Sequence, residues 1–187
     1  RRTKRLIMPA YYRQELQMDA GSRGHDAEVT GVEHWTHTGD VRLFMWEKFV
    51  GSPQGKPAVL FVHGSSMASQ PTFDLSVPGR PDSSVMDWFA RRGFDCWCVD
   101  MEGYGRSDKW RDITCDIANG ADDLACATEF MIGLRGMHGL LTYGISSGAL
   151  RAALFAQNHP DRVARLALDA FVWTGEGAPT LEQRRRK

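Results

Sequence analysis

A chain of 187 residues with 42% hydrophobic and 25% charged side chains has the composition of one globular domain with its own core, which excludes disordered and collagen-like classes. Lys plus Arg balances Asp plus Glu at 23 each, so no net field draws the chain to nucleic acid or to an anionic membrane. Its apolar runs fall far short of the roughly 18 residues that a membrane span requires.

The basic ends, Arg1 to Arg5 and Arg184 to Lys187, read as solvated tails. Leu6 to Ala10 is too short for the apolar part of a secretory signal, and Pro9 and Arg13 interrupt it; the first residue is not Met, which is compatible with an earlier loss of a leader. Cys96, Cys98, Cys115 and Cys126 show neither C-x-x-C spacing nor a dense framework, so a reducing cytoplasm is expected. The six histidines show no metal-ligand spacing, and no metal or other cofactor is expected.

Residues 1–27 are polar and irregular and read as an extension over the surface. Val32 to Thr38 and Val41 to Val50, joined by Gly39-Asp40, read as an antiparallel hairpin with a two-residue turn. The apolar run Pro57 to Val62 suits a strand buried on both faces; it stops at His63-Gly64-Ser65-Ser66 and runs into a polar loop through Pro81. Ser84 and Asp87 have capping-box spacing at the start of a helix that ends before Gly93 and turns Val85, Met86, Trp88 and Phe89 toward the core. A strand Asp95 to Val99 follows, with Cys96 and Cys98 on one face as core packing.

Alternating steps of four and three through Ile117, Ala121, Leu124, Thr128 and Met131 predict an amphipathic helix from Asp112 to about Arg135. Leu140 to Ile145 reads as a strand, Ser147 to about Asn158 as a helix stopped by Pro160, and Val163 to Leu168 as the last strand, ending at Asp169-Ala170. Strands alternating with helices require right-handed crossovers, hence an α/β fold: a mostly parallel sheet, an N-terminal antiparallel hairpin and helices on both faces in three layers.

In such sheets the crevice lies beyond the carboxyl ends of the strands, where His63-Gly64-Ser65, Asp100 to Ser107, Ser146 and Asp169 all fall. Gly144-Ile145-Ser146-Ser147-Gly148 sits between a strand and a helix; a serine there is held in strained geometry that lifts its hydroxyl clear of the sheet. Gly103-Tyr104-Gly105-Arg106-Ser107-Asp108 invites a dinucleotide reading, but Asp108 stands where the third glycine belongs and no helix opens at once.

The Gly-x-Ser-x-Gly turn resembles the nucleophile elbow of the α/β-hydrolase superfamily, in its serine-nucleophile branch. The His-Gly strand end and the run Asp100-x-x-Gly103-x-Gly105-x-Ser107 resemble the family's other turns, in the family's order, with Glu102 departing from the Arg or Pro often found there. The resemblance spans about Val32 to Ala170. It implies Ser146 as nucleophile and an oxyanion hole made by the backbone N–H groups of Ser147 and Ser65. Serine at the elbow argues against the haloalkane dehalogenase and epoxide hydrolase branches, which carry aspartate there.

The resemblance also implies a triad acid and histidine after the nucleophile, yet no histidine follows His159. The chain therefore reads as an extension (1–27), the N-terminal part of the hydrolase core (28–175) and the opening of a cap segment (176–187). The acid and the histidine are expected beyond Lys187, with Asp169 a lesser candidate for the acid; His63, the nearest histidine, is expected to shape the oxyanion loop. The expected function is a serine hydrolase that cleaves a small-molecule carboxylic ester, lactone or activated C–C bond through an acyl-Ser146 intermediate. The alternative is a non-catalytic binding member of the same fold, in which Ser146 only hydrogen-bonds a ligand. The cap and the loop Met67 to Pro81 would set the substrate.

Overall fold

A computed structural model of the chain describes residues 27–80, 82–172 and the single positions 177, 179 and 183. The strands are β1 (Val29–Thr38), β2 (Val41–Val50), β3 (Ala58–Val62), β4 (Asp95–Val99), β5 (Leu140–Ile145) and β6 (Val163–Asp169). They form one sheet in the order β1-β2-β4-β3-β5-β6. Thr38 faces Val41 across the hairpin, where Gly39 takes the positive φ of 57° that the tight turn demands. β2 runs antiparallel to β4, whereas β3 pairs in parallel with both β4 and β5, and β5 with β6.

Each parallel pair needs a crossover, and the helices supply it. Two short helices, α1 (Ser69–Phe73) and α2 (Val85–Ala90), lie between β3 and β4; α3 (Ile117–Arg135) connects β4 to β5, and α4 (Ser147–Asn158) connects β5 to β6. Alternation along the strands divides the core between two faces. Leu60, Val62, Trp97 and Val99 pack with Leu124, Met131, Ala152 and Phe155 of α3 and α4. Val59, Phe61, Cys96 and Cys98 face the other way, onto Phe73, Met86 and Ala90 of α1 and α2. This explains why β3 and β4 are buried throughout and read as continuous apolar runs. The result is the three-layer α/β/α architecture expected from the sequence, a mostly parallel sheet with an antiparallel N-terminal hairpin.

Several local features differ from the sequence reading. The loop through Pro81 contains α1, which is too short for a periodic signal. α3 starts at Ile117 rather than Asp112, because the Asp116 carboxylate accepts the Asn119 N–H and so marks the first turn. In α2 the Ser84 hydroxyl caps the Asp87 N–H as expected, but six residues can bury only one stripe. Met86 and Ala90, four apart, take it, whereas Val85 and Trp88 are 39% and 40% exposed. Trp88 instead stacks beneath the Arg92 guanidinium, 3.4 Å from its ring centre. Apart from Ala27 and positions 177, 179 and 183, the expected extension and the expected opening of a cap lie outside the described residues. No described helix is long and apolar enough to cross a membrane.

Candidate active site

The strand register aligns the carboxyl ends of the four parallel strands. Val62 of β3 pairs with Val99 and Gly144, and Ile145 pairs with Asp169. Ser146 is therefore the first residue beyond β5, flanked by the ends of β3 and β6. Its φ of 58° and ψ of −126° lie outside the regions comfortable for a residue with a Cβ, a strain worth about 1–3 kcal/mol. The Ser146 N–H donates to the Asp169 carbonyl at 3.0 Å, and the Ser146 carbonyl accepts the Ala149 N–H at 3.0 Å, so both sides of the strained residue are tied down. Ser146 is exposed.

Close packing around the turn depends on three glycines. A methyl at Gly144 would sit 2.5 Å from the Gly148 carbonyl oxygen, and one at Gly148 would sit 2.3 and 2.4 Å from the carbonyl oxygens of Val62 and His63. A methyl at Gly64 would lie 3.2 Å from Ser146 Cβ and 3.6 Å from its Oγ. The loop after β3 thus lies directly against the nucleophile candidate. α4 begins at Ser147 with no acidic residue in its first turn, and the Ser146 side chain does not cap it. The first N–H groups of a helix have no intrahelical acceptor, so the positive end of α4 faces the crevice. The Ser147 hydroxyl is buried without a partner, and Ser65 is exposed on the loop beyond Gly64.

His63 is fully buried and its ring nitrogens are both engaged by backbone. Nδ1 lies 2.7 Å from the Gly64 carbonyl oxygen, and Nε2 accepts the Met101 N–H at 3.1 Å. Those partners fix a neutral tautomer with the proton on Nδ1. Burial holds its pKa below the usual histidine range. A trans peptide sets its N–H opposite its carbonyl, so drawing the Gly64 carbonyl inward onto His63 turns the Ser65 N–H outward. The histidine therefore ties the end of β3 to the loop after β4.

That loop is closed on itself. Asp100 Oδ1 accepts the Ser69 N–H and hydroxyl at 2.8 and 2.5 Å, and Oδ2 accepts the Arg106 N–H at 2.8 Å. A methyl at Gly105 would fall 1.9 Å from Asp100 Oδ2. The Asp100 carboxylate thus fills the space against Gly105. Ser107 donates to the Asp100 carbonyl at 2.5 Å and accepts the Phe44 N–H at 2.9 Å, fastening the turn to β2. Glu102 is buried against Arg111 Nε and Asn119 Nδ2 at 2.6 and 3.0 Å. Arg111 holds its carboxyl below the usual range.

Asp169 Oδ2 accepts the Tyr143 hydroxyl at 2.7 Å. Burial and the Asp169 carboxylate push the Tyr143 phenol up to about 12. The other described histidines have separate places: His34 contacts Glu47 at 2.7 Å, His37 lies on β1, His138 precedes β5, and His159 stacks on Phe155 at the far end of α4. Among the described residues no group of three His, Cys, Asp or Glu side chains is placed to hold a metal. Two features escaped the sequence reading, the Tyr143–Asp169 pair and a buried arginine, Arg151, one turn into α4. The first joins adjacent strands, and the second is an ordinary helix-former by type, so neither carries a sequence signal.

A family model described as the alpha/beta hydrolase fold matches residues 57–184. Among solved structures, a membrane phospholipase A described as a bacterial virulence factor is 24% identical, with a TM-score of 0.62 over 83% of this chain and 45% of that one. A thioesterase domain from the curacin biosynthetic pathway is 21% identical, with a TM-score of 0.58 over 83% of this chain and 50% of that one. Epoxide hydrolase A from Mycobacterium thermoresistibile is 25% identical, with a TM-score of 0.57 over 84% of this chain and 45% of that one. The chain thus spans about half the length of these structures.

Proposed function

The chain belongs to the α/β-hydrolase fold family, and from that premise we propose that it is a serine hydrolase acting on a small-molecule carboxylic ester, lactone or activated C–C bond through an acyl-Ser146 intermediate. The observation that carries this reading is the strained, exposed Ser146 where β5 meets α4, with Gly64 packed against its hydroxyl face. Strain of this kind persists only where surrounding structure enforces it, and it gathers at functional sites.

In this mechanism Ser146 Oγ bonds to the substrate carbonyl carbon while its proton passes to a general base. The carbonyl oxygen becomes an oxyanion, received by the Ser147 N–H at the start of α4 and the Ser65 N–H that His63 turns outward. Collapse expels the leaving group, which takes up the proton, and water then cleaves the acyl-serine by the same steps in reverse order. His63 does not serve as the base, because both of its ring nitrogens are held by backbone groups. Among the described residues Asp169, already engaged by Tyr143, is the lesser candidate for the acid that would partner the base. All four cysteines are free thiols, which supports work in a reducing compartment, the cytoplasm.

The test is covalent labelling of the full-length protein with a fluorophosphonate, beside Ser146→Ala. Labelling should vanish in the variant, and ester turnover should fall by about 10⁴ to 10⁶ with the fold intact. A wild-type protein that binds ligands but neither labels nor turns over would overturn the proposal in favour of a non-catalytic binding protein. Labelling that survives Ser146→Ala would place the nucleophile elsewhere.

A further inference from the structure

Arg151 lies on α4 five residues beyond Ser146 and is only 2% exposed. Its Nη1 donates to the His63 carbonyl and its Nη2 to the Cys115 carbonyl, each at 3.4 Å, while Nε is buried with no partner. The guanidinium sits 5.4 Å from the centre of the Tyr104 ring. Gly120 of α3 makes room for it, since a methyl there would lie 2.4 Å from Arg151 Cδ. Among the described residues no carboxylate forms an ion pair with Arg151. The buried carboxylate of Asp123, on the same helix as Gly120, accepts the Glu102 N–H and the Thr38 hydroxyl, and it feels the Arg151 charge through space without a hydrogen bond to it.

Arginine stays charged in a protein, and a buried charge held by two long carbonyl bonds carries a desolvation cost that an apolar side chain of similar volume would not. Packing alone does not call for it. One of its two contacts, the His63 carbonyl, is the same oxygen that abuts Gly148 at the start of α4. That peptide leads directly into Gly64 and Ser65. The charge therefore lies on the inner side of the crevice floor, where water does not screen it.

We propose that Arg151 is a positioning residue of the Ser146 site, clamping the His63 carbonyl beneath the Ser65 loop and adding positive potential that stabilises the anionic tetrahedral state. This rests on the reading of Ser146 as nucleophile. The charge does what fixed N–H donors do, acting on negative charge that exists only near the transition state. A side chain that merely packed would affect stability instead.

The experiment measures fluorophosphonate labelling of the full-length protein as an inactivation rate and an encounter constant, together with thermal stability. In this reaction Ser146 Oγ bonds to phosphorus, fluoride leaves, the serine proton passes to the general base, and negative charge gathers on the phosphoryl oxygen. Arg151→Met should lower the inactivation rate by about 10- to 100-fold and change the encounter constant by less than about threefold. Its melting temperature should be unchanged or raised, since a buried charge that forms no ion pair has been removed. Arg151→Gln keeps a donor without the charge and should show the same loss, which carries the test if Arg151→Met does not fold. Arg151→Lys, which keeps the charge, should recover most of the rate. Labelling of Arg151→Gln at the wild-type rate, or of Arg151→Lys as slowly as Arg151→Gln, would overturn this inference alone. An unlabelled wild-type protein would overturn the Ser146 reading and this inference with it.

Discussion

Two glycine-to-alanine changes, at Gly148 and Gly64, separate the packing of the elbow from its chemistry. At position 148 the new methyl would meet the Val62 and His63 carbonyl oxygens at 2.3 and 2.4 Å, and the His63 carbonyl carbon at 2.8 Å. These distances are about 1 Å inside ordinary contact. The atoms are backbone at the end of β3, which is bonded to β4 on one side and β5 on the other, so α4 must retreat instead. Gly148→Ala should thus cost about 3 kcal/mol, the upper end of the usual overpacking range. At position 64 the closest contacts are Ser146 Cβ at 3.2 Å and the Ile145 carbonyl oxygen at 3.3 Å, which shifts of a few tenths of an ångström relieve. Gly64→Ala should cost roughly 1 kcal/mol or less, yet it crowds Ser146 and displaces the Ser65 N–H, lowering turnover by about 10- to 100-fold. Urea unfolding gives the stabilities and the rate of fluorophosphonate labelling gives the chemistry, both on the full-length protein. A Gly148→Ala protein of wild-type stability, or a Gly64→Ala protein of wild-type reactivity, would refute this account of the turn.

Ser107→Ala removes the acceptor of the buried Phe44 N–H and the donor to the Asp100 carbonyl, and should lower unfolding stability by about 1–3 kcal/mol; an unmoved urea midpoint would contradict it. Burial beside Glu47 pushes Asp95 up to about 7, well above its unfolded value, so its contribution is fully present below pH of about 4 and lost as pH rises through about 7. Asp95→Asn should therefore shrink the stability lost between pH 5.5 and 8 by on the order of 1–2 kcal/mol, and a wild-type pH dependence in the variant would exclude Asp95 as its source. His63, whose pKa burial lowers, works in the opposite sense, losing stability as pH falls below its unfolded value of about 6.5, and is common to both proteins in that comparison.

The sheet was legible because its signals are local and periodic. The apolar runs of β3 and β4, the turn at Gly39, the Ser84 cap and the Gly144-x-Ser146-x-Gly148 spacing each identify an element from a few adjacent residues. The side-chain partners at the strand ends were not legible, since they join residues far apart in sequence. His63 illustrates the difference: its place at the end of β3 follows from the sequence, but its bond to the Met101 N–H depends on the register of β3 against β4. Arg151 was less accessible still. Alanine, leucine and arginine are all good helix-formers, and only the packing of α3 on α4 at Gly120 decides that this arginine points inward.

The strained serine and the buried histidine answer the same mechanical problem. A residue at φ 58° would relax toward an ordinary conformation if either neighbouring strand end could move. β6 prevents this on one side, through the Asp169 carbonyl on the Ser146 N–H. On the other side β3 is held through His63, which takes the Met101 N–H from the loop after β4, while Asp100 at the head of that loop holds α1 through Ser69. Together with the pairing of β3 and β5, these hydrogen bonds tie the ends of β6, β5, β3 and β4 to one another, so the turn cannot relax without breaking several. This position also explains why His63 is unsuited to proton transfer. A general base must exchange a proton at a ring nitrogen during turnover, and freeing either nitrogen of His63 would release the loop that carries Ser65.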